Sequence, residues 1–169
     1  SDLFGNDATI QIYSAGNHNL PLKLTPGKLV RSDQGSKAKE SKDAIVNDAY
    51  DITHTSIQFY QDVHNVKLNQ LLGSIDKPLP LSSEVHYQGA HGTRGALDNA
   101  FWDPSISRMV YGDGRAFNPL VTEPTVGVHE ISHFVTQETG GTAVSQNGQP
   151  TGLDYTGDAG GLNEYNSDA

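Results

Sequence analysis

Hydrophobic and polar residues alternate in several short stretches of the chain, a pattern that is typical of half-buried β-strands. The first stretch covers residues 8–13, and residues 28–31 are a candidate pairing partner. Later stretches with strand character lie at residues 84–87, 99–102 and 107–111. The first part of the chain is therefore predicted to be β-structure, and strands are predicted to resume beyond its middle.

Three other stretches have the features of helices. Residues 43–64 carry apolar side chains alternately four and three positions apart, which predicts one long helix with a buried stripe. A second helix is predicted from about residue 122 to the Gly140–Gly141 pair, and a third from about residue 158 to the end of the sequence. The stripe of the first helix consists of Ile45, Ala49, Ile52, Ser56, Phe59, Val63 and Val66. Together these elements predict an α+β fold, with a twisted, mostly antiparallel sheet, the long helix as its support and the second helix behind it.

The composition narrows the class of protein. With 169 residues, of which 35% are hydrophobic, the chain can form one domain with a real core. The net charge of −9 argues against a nucleic-acid or acidic-lipid partner, since clustered Lys and Arg drive phosphate binding. The chain has no cysteine, which excludes disulfides and thiolate ligands. No apolar stretch approaches the roughly 18 residues that a membrane-spanning helix needs.

The second predicted helix contains a metal-binding motif. Residues 129–133 read His-Glu-Ile-Ser-His, which matches H-E-x-x-H. Residues four apart lie one turn apart on the same helix face, so His129 and His133 can bind one zinc ion. Glu130 lies about 100° around the helix, where it can reach a metal-bound water as a general base without binding the metal. The alternative, a structural histidine pair, would need hydrogen-bond partners inside an apolar layer.

The third predicted helix offers the remaining ligand. Catalytic zinc usually has three protein ligands and leaves a fourth position to water. Glu164 and Asp168 are four residues apart and therefore share a helix face. Glu164 can bind the metal, while Asp168 accepts a hydrogen bond from the outer N–H of a zinc-bound imidazole. The alternative is a pair of solvated acids near a helix start, where the helix dipole favours them.

The residues around these motifs resemble the thermolysin family of zinc peptidases, also called gluzincins because their third ligand is Glu. Residues 99–102 followed by residues 109–114 are similar to the family's edge strand and the turn after it, at nearly the same spacing. Gly152-Leu153-x-Tyr155, with Asn163-Glu164 eight residues later, also fits the family pattern. The resemblance covers most of the chain from about Asp48 onward, so the whole of residues 1–169 is interpreted as one N-terminal catalytic lobe.

This resemblance implies a secreted, extracellular zinc endopeptidase with one zinc ion per chain. Its substrate would be a polypeptide, hydrolysed by a zinc-bound water that Glu130 activates. Asn99 and Ala100 would hold the substrate backbone as an added strand, and Tyr155 would donate to the developing oxyanion. The residue after the scissile bond would be hydrophobic and would occupy an apolar pocket formed by Phe117, Leu120 and Val126.

Three departures from the family pattern limit this interpretation. The connection from His133 to Glu164 spans 31 residues, longer than family members typically have. Calcium is a further cofactor that the resemblance allows, but Thr125 stands where the family usually has a calcium-binding Asp. Family members also continue into a helical C-terminal lobe that supplies a catalytic His and a substrate-binding Arg, and we expect this lobe to be absent from residues 1–169.

Two other functions stay open on these grounds. The first is a domain that binds zinc but is catalytically silent, because a missing oxyanion donor costs about a hundred- to a thousandfold in rate. The second is a peptide-binding domain without catalysis, which would use the strand edge at residues 99–102 to hold extended peptides. Replacing Glu130 by Gln should leave peptide binding intact, and it should abolish cleavage only if the chain is an enzyme.

Overall fold

The computed structural model describes residues 9–18, 26–89, 97–114, 119–140 and 157–168, and five strands within them form one sheet. The strands are β1 (Ile10–His18), β2 (Lys28–Ser32), β3 (Leu81–Tyr87), β4 (Ala100–Asp103) and β5 (Arg108–Gly112). Their order across the sheet is β2-β1-β3-β5-β4. Each stretch with strand character in the sequence falls within or overlaps one of these strands, and β4 lies at an edge.

The predicted α+β fold class is confirmed, and the strand directions refine the predicted sheet. The two edge pairs, β1–β2 and β4–β5, are antiparallel, whereas the interior pairs β1–β3 and β3–β5 are parallel. Parallel neighbours need a long crossover connection. The chain between β1 and β3 supplies one, because it contains both β2 and the long helix α1 (Ala44–His64).

Helix α1 begins and ends at residues suited to those positions. The side chain of its N-cap, Asp43, accepts a hydrogen bond from the backbone N–H of Ile45, and its C-cap, Asn65, adopts the left-handed conformation. The predicted stripe is buried at three positions, Ala49, Ile52 and Ser56. At the C-terminal end of the helix, Phe59 and Val63 are exposed, and the prediction of a continuous buried stripe is wrong there, because Phe59 borders an open groove.

Three further helices follow in the described chain. The short α2 (Leu68–Leu72) precedes β3, and α3 (Pro124–Thr139) carries the H-E-x-x-H motif. Pro124 occupies the first turn of α3, where its missing N–H leaves no hydrogen bond unmade. Helix α4 (Gly157–Asp168) packs against α3. These bounds agree with the predicted second and third helices to within a few residues.

One hydrophobic core joins the sheet to α1 and α3. Ile10 and Ile12 of β1, Ile52 of α1 and Ile131 and Phe134 of α3 are all buried in it. The helices approach closely at Gly127, because a Cβ atom there would lie 2.5 Å from Cγ2 of Ile52. This packing brings the middle of α3 beside the edge strand β4.

The opposite face of the sheet buries an ion pair. Glu84 of β3 is fully buried, and it accepts hydrogen bonds from Nη1 of Arg108 at 2.9 Å and from the backbone N–H of Gly27 at 3.0 Å. The Arg108 guanidinium lies over the ring of Tyr13. Burial raises the pKa of the Glu84 carboxyl against the lowering effect of these partners. The carboxylate therefore depends on Arg108 for its charge.

His86 connects three elements at the end of β3. Its φ of 57° lies in the left-handed region, and the register with which β3 pairs with β1 and with β5 shifts around this residue. Its Nε2 lies 2.9 Å from Oδ2 of Asp43, and its Nδ1 lies 2.8 Å from Oδ1 of Asp113. Burial lowers the pKa of His86, but the two carboxylates raise it more, and the net pKa is raised. The imidazole thus links β3 to the N-cap of α1 and to the turn after β5.

Candidate metal centre

Helix α3 places its two histidines against each other. The Nε2 atoms of His129 and His133 lie 2.9 Å apart, and the two rings meet edge to face. Both side chains face the start of β4, and they share a cavity of about 320 Å³ with Ala100 and Trp102. The four-residue spacing in the sequence is therefore realised as two imidazoles that converge on one point.

Helix α4 engages the outer nitrogen of each imidazole. Oδ1 of Asp168 lies 2.8 Å from Nδ1 of His129. Oδ1 of Asn163 and Oγ of Ser167 each lie 2.9 Å from Nδ1 of His133. Because carboxylate and amide oxygens only accept hydrogen bonds, both Nδ1 atoms are assigned the proton. Each Nε2 atom then carries a lone pair.

Two lone pairs that face each other at 2.9 Å repel, so this arrangement fits a cation that both nitrogens can bind. Glu164 adds negative charge at the same place, with Oε2 3.4 Å from Nε2 of His129 and Oε1 3.7 Å from Nε2 of His133. One ring nitrogen each of His129 and His133 and one carboxylate oxygen of the neighbouring Glu130 also lie within 4.8 Å of one another. Two imidazoles with a carboxylate are a ligand set that zinc accepts.

The carboxylates of Glu130 and Glu164 lie in different environments. Glu130 is buried, and its Oε2 accepts a hydrogen bond of 3.0 Å from the backbone N–H of Trp102 in β4. Burial raises the pKa of the Glu130 carboxyl, while the two imidazoles and the Trp102 N–H act against this rise. Glu164, by contrast, is exposed. The buried carboxylate therefore has a fixed position and a raised affinity for a proton.

The outer edge of β4 borders the same site. The carbonyl of Asn99 accepts a hydrogen bond from the N–H of Gly112, so the backbone groups of Asn99 point towards β5. Phe101, two residues further along and paired with Val110, has the same orientation. Backbone groups of alternate residues point to opposite sides of a strand. Ala100 and Trp102 therefore direct their N–H and C=O groups away from β5, and the bond from Trp102 to Glu130 agrees with this.

A second cavity, of about 310 Å³, continues the first along α3. Its lining includes four of the residues that the sequence predicted to bind substrate, namely Asn99, Ala100, Leu120 and Val126. Leu120 and Val126 are partly buried against the core, so they offer an apolar wall. The fifth residue predicted to bind substrate, Phe117, lies outside the described residues, as does Tyr155, the predicted oxyanion donor.

A larger groove, of about 870 Å³, lies on another side of α3, between α1 and α4. Phe59 and Val128 line it, and both are exposed. Val128 is therefore exposed to the groove, although Ile131, three residues further along α3, is buried in the core. On α4, Leu162 and Tyr165 are also exposed.

Three contributors to the site were not predicted from the sequence. Asn163 and Ser167 had no assigned role, although their four-residue spacing places them on one face of α4 as it does Glu164 and Asp168. The contribution of the Trp102 N–H could not be predicted from the sequence, because it depends on how β4 lies against α3.

Among the residues that the structure describes, no helix is both long and apolar enough to cross a membrane.

Comparisons with known proteins agree with this geometry. Residues 3–137 match the family model of the thermolysin metallopeptidase catalytic domain, a match that ends before α4 and Glu164. A zinc metalloproteinase (MspA) of Legionella longbeachae is 36% identical over 139 residues, which are 82% of this chain and 21% of that protein. A bacillolysin of Brevibacillus brevis is 30% identical over 94% of this chain and 24% of its own length.

A solved structure extends the similarity to the fold. The precursor of protealysin, a metalloproteinase from Serratia proteamaculans, superposes with a TM-score of 0.68 at 31% sequence identity. The similarity covers 94% of this chain and 40% of that one. The chain thus spans between about a fifth and two fifths of the length of these similar proteins. On the family match and the converging histidines of α3, the chain belongs to the thermolysin metallopeptidase family and lies within its catalytic domain.

Proposed function

We propose that the chain is the zinc-binding part of an endopeptidase that hydrolyses polypeptides. His129, His133 and Glu164 would hold one zinc ion, and Glu130 would be the general base. The observation that carries the proposal is the pair of Nε2 atoms 2.9 Å apart, each on an imidazole whose outer nitrogen is engaged by α4. Such outer hydrogen bonds fix the tautomer in which the lone pair on Nε2 can bind a metal.

The groups around the proposed zinc ion would have separate roles in hydrolysis. A bound zinc ion would supply a Lewis acid that polarises the peptide carbonyl and makes water more acidic. Glu130 would take the proton of the attacking water, a role that its buried position and raised pKa support. The Trp102 N–H occupies Oε2 of that carboxylate, which leaves Oε1 to accept the proton.

The edge of β4 supports binding of an extended substrate. The outward backbone groups of Ala100 can pair with a peptide that lies antiparallel or parallel to the strand, which places a peptide bond beside Glu130. Leu120 and Val126 would accept a hydrophobic side chain after the scissile bond. Phe117 would belong to the same pocket, as the family resemblance implies. Asn99 would hold the substrate backbone, and Tyr155 would donate to the oxyanion, as the family resemblance implies.

Further parts of the proposal rest on the similar proteins. One of them is an extracellular metalloprotease of Pectobacterium carotovorum subsp. carotovorum, 30% identical over 85% of this chain, and we propose extracellular action here too. A helical second lobe would supply the remaining catalytic groups, and the exposed Leu162 and Tyr165 offer it an apolar contact. Calcium binding stays a prediction, since Thr125 lacks the carboxylate of the usual ligand.

The test is cleavage of a short blocked peptide with Leu after the scissile bond, with zinc and with a chelator. Glu130→Gln should keep one zinc ion per chain and lose cleavage, because the amide cannot accept the proton. Glu138→Gln, on the same helix, is the matched control and should keep both. Full cleavage by Glu130→Gln would refute the mechanism. A chain that binds zinc without cleaving, even together with the proposed second lobe, would instead be the silent domain, and binding of peptide without zinc would indicate a peptide-binding module.

A further inference from the structure

Trp102, the only tryptophan of the chain, contacts α3 at three points. Its backbone N–H donates to Oε2 of Glu130, its ring packs against Phe134 with centroids 5.0 Å apart, and its indole Nε1–H donates to Oε1 of Gln137 at 3.1 Å. The three α3 residues are four and three positions apart, so they form one stripe along the helix. A single strand residue therefore connects the edge of the sheet to two turns of α3.

The three contacts constrain Trp102 in different ways. The contact with Phe134 is apolar, and it holds the ring against the helix without fixing its rotation. The hydrogen bond from Nε1–H to Gln137 is directional, so it does fix the orientation of the indole. Trp102 is nearly fully buried, and a rotation of the indole would break its hydrogen bond to Gln137. The orientation of the ring is thus determined by Gln137.

From this geometry we infer that Gln137 is a positioning residue for the general base. By accepting the indole N–H, it holds Trp102 where the peptide N–H meets Oε2 of Glu130. Gln137 itself lies seven residues beyond Glu130 and is not among the residues that line the two cavities at the histidines. Its effect on rate rests on the proposed function, whereas its effect on Trp102 does not.

The experiment compares three variants with the wild-type chain. Gln137→Met has a similar length but no acceptor of comparable strength, and Gln137→Glu keeps an acceptor oxygen at the same distance along the side chain. Glu138→Met introduces the same side chain at the adjacent position, which has no hydrogen bond to Trp102, and is the matched control. Zinc stoichiometry and the thermal midpoint are measured for all of them, so that a loss of folding is recognised.

Two readouts separate positioning from general stability. The chain has one indole, so its 1H–15N resonance reports the bond to Gln137, and the backbone amide resonance of Trp102 reports the bond to Glu130. In Gln137→Met both resonances should move, and kcat should fall roughly three- to tenfold with KM unchanged, which is the size expected for one hydrogen bond. Gln137→Glu and the Glu138→Met control should retain the wild-type amide resonance and kcat.

Each other outcome counts against the inference. If Gln137→Met moves the indole resonance but not the Trp102 amide resonance, or if kcat stays at the wild-type value, Gln137 only stabilises the fold. The same conclusion follows if Gln137→Glu behaves like Gln137→Met. If the wild-type chain together with the proposed second lobe cleaves no peptide, the proposed function has failed, and the amide resonance alone still decides whether Gln137 holds Trp102 on Glu130.

Discussion

Substitution of Gly127 by Ala should destabilise the protein through a contact with one identified side chain. Gly127 is buried in α3, two residues before His129, where α3 approaches α1. A Cβ atom there would lie 2.5 Å from Cγ2 and 3.1 Å from Cδ1 of Ile52, and 3.3 Å from the hydroxyl oxygen of Tyr111. The first distance is too short for two carbon atoms, so the helices must move apart or Ile52 must change its rotamer.

The size of the effect follows from two opposing contributions. Ala is favoured over Gly within a helix by about 1 kcal/mol. Overpacking of a core costs about 1 to 3 kcal/mol, and Ile52 cannot easily yield because β-branched side chains are stiff at χ1. The free energy of unfolding should therefore fall by up to about 2 kcal/mol. Without the Ile52 methyl groups, the same substitution should stabilise the protein by up to about 1 kcal/mol.

Urea unfolding of a double-mutant cycle measures this reversal. Gly127→Ala is introduced into the wild-type chain, into Ile52→Ala and into Ile52→Val. Ile52→Val is the matched control, since it loses Cδ1 but retains the Cγ2 that would meet the new methyl group. The penalty should persist in Ile52→Val and disappear in Ile52→Ala. An equal loss of stability in all three backgrounds would refute the assignment of the strain to Ile52.

Three further predictions concern charged groups. The raised pKa of His86 implies that its contribution to the free energy of unfolding is complete below about pH 6.5, its ordinary pKa, and is lost as the pH rises through the raised value. Urea titrations should show this loss in the wild-type chain but not in His86→Asn, and parallel curves would contradict it. Asp168→Ala should weaken zinc binding about 10- to 100-fold in competition with a chelator, because His129 loses its outer acceptor; unchanged affinity would exclude that role. Arg108→Met should cost about 3 to 5 kcal/mol of stability, because Glu84 stays buried without its partner. Adding Glu84→Gln should restore much of this loss, and a double variant as unstable as Arg108→Met would disprove it.

The parts of the site that could be predicted from the sequence are those that the helical repeat determines. His129 and His133 converge because they are one turn apart on α3, and Glu164 and Asp168 share a face of α4 for the same reason. Each of these relations is local within one helix, so it holds wherever the helix is placed, whereas the contact between Asp168 and His129 also requires α4 to pack against α3. Their roles as zinc ligands and as the support of a ligand stay predictions until metal binding is measured.

The parts that could not be predicted depend on how distant segments meet. The left-handed conformation of His86 could not be predicted from the sequence. It is accompanied by contacts with two carboxylates, and these belong to segments far from β3 in the chain. The direction of the interior strands likewise depends on the crossovers, and alternation of polar and apolar residues is the same in parallel and antiparallel neighbours when one face is buried. Phe59 has helical spacing and is still exposed, because periodicity identifies a face but not what covers it.

Within the site, the predictable and unpredictable contacts involve different structural elements. Helix α4 acts on the two histidines, through Asp168, Asn163 and Ser167, whereas strand β4 acts on Glu130, through the N–H of Trp102. Because the two elements lie on different sides of α3 and contact different side chains, changes in them should separate metal affinity from the rate of hydrolysis. Sequence spacing identified the ligand side, which is built from helical repeats. The hydrogen bond between Trp102 and Glu130, which are 28 residues apart in the chain, depends on how the edge of the sheet lies against α3, and only the structure reveals it.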